Sequence, residues 1–170
     1  MGWQIIVIAL LSCVLLGEIS MALEDVGFQP RCVDWSLSSK EIRPGGQISV
    51  TFYFKNEGTV PASTDYFVFV HLEHPDRSCA NIVVHGDHEP LVPTTCWLPG
   101  KTVMDGPYLF TIPESASEGT YHIHVGVYSF REPGYPRLSD QYVGEIQVRK
   151  DAPEVKSVPP SMSSSEVAKR

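Results

Sequence analysis

One stretch constrains this chain more than any other: RPGGQISVTFYFKNEGTVPA, residues 43–62. Ile48, Val50, Phe52 and Phe54 alternate with Gln47, Ser49, Thr51, Tyr53 and Lys55, giving a strand one apolar face and one wettable face. Pro44-Gly45-Gly46 reverses the chain ahead of it, and Asn56-Glu57-Gly58 ends it with residues that tolerate positive φ. Such a strand must bury its apolar face against a second layer.

Similar runs recur, separated by Pro, Gly and Asp clusters, and helical periodicity is hard to find. Strands are expected at residues 32–38, 47–55, 66–73, 104–112, 119–130 and 141–149, with a short one at 82–85 inside the long connection of residues 74–101. Residues 66–73 begin apolar on both faces, which predicts a central strand. Val33, Trp35 and Leu37 share a face, and Trp35 is expected in the core. The pattern predicts an all-β fold: an immunoglobulin-like, two-sheet antiparallel β-sandwich of about seven strands. Tyr121, just after Glu118-Gly119-Thr120, sits where such folds place a tyrosine corner, its hydroxyl bonding back to the backbone near the preceding turn. The second cysteine of an antibody domain would fall at Ile123 and is absent.

Residues 1–22 read as a signal peptide. The apolar run from Ile5 to Leu16 is too short to span a bilayer, and Ser20 and Ala22 supply small residues for cleavage after Ala22, with Gly17 and Ser20 as alternatives. Removing this leader removes Glu18 and no base, leaving 13 basic and 19 acidic residues, net −6. An acidic surface without basic clusters argues against nucleic acid and anionic membranes, and no second apolar run predicts membrane insertion. A secreted, extracellular chain is expected, with one β-sandwich domain at residues 23–150 and a polar, disordered tail at 151–170.

Cys32, Cys79 and Cys96 remain after cleavage, which favours one disulfide and one leftover thiol. Cys79 and Cys96 flank one connection and form the preferred pair, a closure of about 3 kcal/mol. Either pairing with Cys32 is the alternative. Left over, Cys32 is a buried thiol or links two chains into a disulfide-bonded homodimer.

His122 and His124 project from the face opposite Tyr121 and Ile123, and His71, in phase with Phe67 and Phe69, belongs on the same face if the two strands pair. Three imidazoles there define a candidate zinc or copper site, and His85 and His88 with Asp87 and Glu89 offer a second set. No CxxC or HExxH spacing accompanies them, and no cofactor is expected. Phe67, Phe69, His122, His124 and Tyr128 form a candidate ligand platform, with Trp97 a further stacking residue. The opposing expectation is that residues 74–101 fold over Phe67 and Phe69 and bury them with Trp97. Asp87, Glu89, Asp105 and Glu114 lie near turns without a recognisable nucleophile motif, so no enzyme is expected.

Two portions of the chain carry a likeness to a known family. The first is PGGQISVTFYFKNEGTVPA. The second comprises FVHL at 69–72, DHEP at 87–90, PTTCWLPG at 93–100, Asp105, IP at 112–113, GTYHIHVGVY at 119–128 and Arg137-Leu138. Together they resemble immunoglobulin-like accessory modules attached to bacterial surface, glycosyltransferase and glycoside-hydrolase proteins. The resemblance implies a non-catalytic, carbohydrate-related module and supplies no catalytic residues. The leading expectation is therefore a secreted recognition module for glycan. The alternatives are a module for an extracellular protein partner and a histidine-based copper or zinc binder.

Overall fold

The structure, a computed structural model, describes residues 27–74 and 82–153. These form eight strands: β1 (Pro30–Leu37), β2 (Glu41–Ile42), β3 (Gln47–Asn56), β4 (Phe67–Glu73), β5 (Ile82–His85), β6 (Thr102–Thr111), β7 (Gly119–Tyr128) and β8 (Gln141–Val148). A single 3-10 turn at Thr94–Cys96 is the other element, and no α-helix occurs among the described residues. The fold is all-β in two sheets. One has the order β1-β3-β6, the other β2-β8-β7-β4-β5.

The alternation in β3 does what its sequence demands. Ile48, Val50, Phe52 and Phe54 are buried, while the residues between them face outward. Pro44 and Gly45 turn the chain into β3: the Gly46 amide donates to the Arg43 carbonyl at 2.9 Å, and Gly45 has φ 77°, which a side chain would strain. From the other sheet, Val68, Val70 and Leu72 of β4 and Ile123, Val125 and Val127 of β7 meet β3 in one shared core. Each large side chain fully buried there contributes about 1.5–3 kcal/mol. Trp35 packs against this core, its ring lying over Gly144 of β8.

Two details depart from the expected sandwich. The described residues form eight strands rather than about seven, because Glu41 and Ile42 pair with Gln147 and Val148. That pairing is parallel, so the five-stranded sheet is not wholly antiparallel. The chain leaves β1 in one sheet, crosses to the edge of the other as β2, and returns as β3.

Buried polar groups hold the long connection down, and each has its partners. Asn56 is fully buried, with Oδ1 accepting from the Gln29 and Gly58 amides and Nδ2 donating to the Val60 and Trp97 carbonyls. Asp105, also fully buried, accepts from the Leu91 amide at 3.1 Å, the Tyr108 hydroxyl at 2.7 Å and His88 Nε2 at 2.9 Å. Burial, with the Asp105 carboxylate adjoining, pushes the Tyr108 phenol well above its usual range. Since His88 belongs to a segment bridged to Val68 of β4, while Asp105 is on β6, this pair ties the edges of the two sheets together. Thr94 Oγ1 accepts the Tyr66 amide at 2.9 Å. Much of the DHEP and PTTCW resemblance thus falls on structural anchors.

The expected leader lies outside the described residues, as do residues 154–170 of the expected tail. Ala152 is buried, so the packed domain runs slightly past residue 150.

Candidate functional site

The outer face of the five-stranded sheet carries a row of rings across four strands. His85 of β5 lies opposite His71 of β4, His71 opposite His124 of β7, and His124 opposite Tyr142 of β8. The expectation that β4 and β7 pair, bringing His71, His122 and His124 to one face, holds in register: His71 pairs with His124 and Glu73 with His122.

The three imidazoles nevertheless do not converge as metal ligands. His124 is buried, with Nε2 3.4 Å from Glu73 and Nδ1 3.4 Å from Asp140, so both nitrogens already face carboxylates. His122 packs edge-on against Tyr142, ring centroids 5.0 Å apart. His71 turns the other way, with Nε2 3.4 Å from Asp87 and its ring against His85 at 5.2 Å. Among the described residues no three His, Cys, Asp or Glu side chains are grouped to hold a metal ion. The second histidine set also divides, since His88 faces Asp105 and the Gly86 carbonyl.

The aromatic platform is realised in part. Phe67 and Tyr128 are half-buried neighbours, centroids 6.0 Å apart. Phe69 is 2 % exposed. The Arg137 guanidinium lies over its ring at 4.3 Å, on the segment returning from β7 to β8. That segment sits close because residue 126 is glycine: a Cβ there would come within 1.9 Å of the Ser139 carbonyl oxygen. The Leu138 amide donates to the Val127 carbonyl at 2.8 Å and fixes the return. Trp97 is fully buried, stacked on Phe54 at 5.2 Å, with Nε1 donating to the Val92 carbonyl. It is a core residue, and the stacking role expected for it is corrected.

Above Phe69 opens a cleft of about 520 Å³, lined by Phe69, His71, Asp87, Tyr128, Gly134, Tyr135 and Arg137. Tyr135, 63 % exposed, stands at φ 51° after Gly134 in a turn that aims its ring at Tyr128, centroids 6.4 Å apart. The Tyr128 hydroxyl bonds to Asp87; burial and this carboxylate raise the phenol above its usual range. Burial holds His71 below the ordinary imidazole value, Asp87 opposing it and Arg137 and His85 adding to it. The cleft therefore pairs exposed ring surface with one carboxylate, one guanidinium and an imidazole that burial biases toward neutrality. Tyr135 and Arg137 escaped the sequence reading as site residues. The signal for them was Gly126, a lone glycine inside an apolar strand, which marks close backbone approach.

Of the two expectations for Cys32, the buried thiol is the one realised. Cys32 is 7 % exposed, its Sγ donates to the Asp34 carbonyl at 3.3 Å, and burial pushes it up to about 11. A protonated, enclosed thiol does not reach a second chain, so the homodimer through Cys32 lacks a structural basis. Cys96 is an exposed free thiol, and Cys79, its expected partner, lies outside the described residues.

No family model and no curated protein sequence matches the chain. Among solved structures it is similar to the C-terminal domain of Wzt, with a TM-score of 0.51 and 11 % identity over 73 % of this chain and 75 % of that one. A weaker likeness, TM-score 0.45 and 11 % identity, covers 77 % of this chain and 33 % of the Pseudomonas fluorescens alkylpurine DNA glycosylase AlkC. The first likeness supports the two-sheet β fold, and at this identity it speaks for the fold alone.

Proposed function

We propose that this chain is a secreted, non-catalytic recognition module that binds glycan in the cleft over Phe69. The observation that carries the reading is the meeting of Tyr128 and Tyr135 with Asp87 and Arg137 around one opening. A sugar ring offers a C–H face that packs on an aromatic side chain, and hydroxyls that both donate and accept. Asp87 supplies acceptors and Arg137 supplies donors. The reading is non-catalytic because, among the described residues, Asp87 is the single carboxylate lining the cleft, whereas most glycoside hydrolysis uses two carboxyl groups flanking the bond.

The fold reading that goes with it is immunoglobulin-like. Its support is the Tyr121 hydroxyl, which donates to the Ser117 carbonyl at 3.0 Å, the geometry of a tyrosine corner. Export rests on the sequence of residues 1–22 alone.

A glycan array probed with the purified chain tests the function. Binding is expected, and Tyr135→Ala should weaken it about tenfold while leaving the fold intact, because this ring is exposed. Binding that survives both Tyr135→Ala and Asp87→Asn unchanged places the ligand elsewhere and sinks this site.

A further inference from the structure

We propose that the cleft over Phe69 selects uncharged sugar rings and rejects uronic and other acidic sugars, an inference that rests on the glycan reading above. The balance of charge around the opening carries it. Asp87 lines the cleft with its side chain 39 % exposed. Arg137, the one cation in the lining among the described residues, already has a partner: its Nη1 donates to Asp140, and its guanidinium lies over Phe69. Glu73 and Asp140 both stand against His124, the cross-strand neighbour of His71. Histidines aside, the described residues at this corner of the sheet include three carboxylates, Asp87, Glu73 and Asp140, and one guanidinium, Arg137.

His71 does not redress the balance. It sits 3.4 Å from Asp87, and burial favours its neutral form. A sugar carboxylate entering beside Asp87 would meet a like charge, with a cation already engaged by another acid. The whole chain carries formal charge −7, so the long-range field also opposes an anionic polymer. Hydroxyls meet none of this. Asp87 is an acceptor for a pair of them, and the guanidinium has N–H groups beyond the one given to Asp140. Tyr128 and Tyr135 meet at 78°, which gives a pyranose one ring face to lie on and one to abut.

The test uses the purified full chain and surface-immobilised polysaccharides. Mannan, glucan and galactan provide neutral polymers, polygalacturonate an acidic one. Polygalacturonate with its carboxyl groups reduced to alcohols serves as the matched neutral control. Binding to neutral polymers, with reduced polygalacturonate held at least tenfold more tightly than its parent, is the expected result. Asp87→Asn should narrow that ratio and weaken neutral binding about tenfold, through loss of a charge-assisted hydrogen bond. Parent polygalacturonate bound as well as its reduced form overturns the selectivity and leaves the glycan reading standing. Silence across every polymer overturns the glycan reading, and this inference with it.

Discussion

His71 stands where burial and charge pull in opposite directions. Enclosure under the return segment penalises the imidazolium, while Asp87 at 3.4 Å favours it; burial is the larger effect, and the pKa lies below the ordinary 6.5. The folded chain then binds fewer protons here than the unfolded chain between the folded pKa and 6.5. Stability from this residue is complete above pH 6.5 and is lost as pH falls through that window, levelling off below it. Urea midpoints at pH 8 and pH 5 check this. The wild type should lose more stability between the two than His71→Gln does, and equal losses would contradict the assignment. Asp105 and Asn56 show burial met in another way, by supplying every polar atom with partners. Neither was legible as an anchor in the sequence, where Asp105 is one more acid near a turn. Its partners Leu91 and His88 come from a connection without periodicity.

Among the elements, what was legible follows from repetition. β3, β4, β7 and β8 carry enough alternating residues to declare a face, and the pairing of β4 with β7 placed the histidines and Tyr128 on one side. β2 has two residues and no period to read, and its parallel pairing depends on where the chain goes after β1. Trp97 looked like a loop ring because its neighbours Phe54 and Phe28 are remote in sequence. The site itself is made where an element stops: the return over Gly126 brings Arg137 and Tyr135 to Phe69. Gly126→Ala tests that construction. The added methyl would overlap the Ser139 carbonyl at 1.9 Å and the Phe69 ring at 2.6 Å, so residues 137–140 must lift. A loss of about 1–3 kcal/mol is expected in denaturant titration, together with loss of sugar binding by protein whose far-ultraviolet spectrum is unchanged. A variant with wild-type stability and binding would show that the return does not form the cleft wall.

At the scale of the molecule, the two sheets are joined at their sides as well as through the core. His88 and Asp105 link β6 to the β4 side. At β1, the Cys32 amide donates to Gln141 Oε1 at 2.7 Å, which ties the three-stranded sheet to the start of β8. Cys32 sits inside that junction, protonated and enclosed, whereas Cys96 is exposed beside the buried Trp97. The two thiols therefore report different events. Alkylation followed by peptide mass spectrometry should modify Cys96 in the native protein within minutes. Cys32 should react only as fast as the sheets separate, its rate following global stability as urea is added. Gln141→Ala removes the side-chain tie without touching the thiol. If the junction holds the sheets, that variant should speed Cys32 labelling more than Cys96 labelling. Rapid native labelling of Cys32 would mean that the β1 edge opens independently of the core, and the molecule would then be one rigid sheet with a loosely attached second layer.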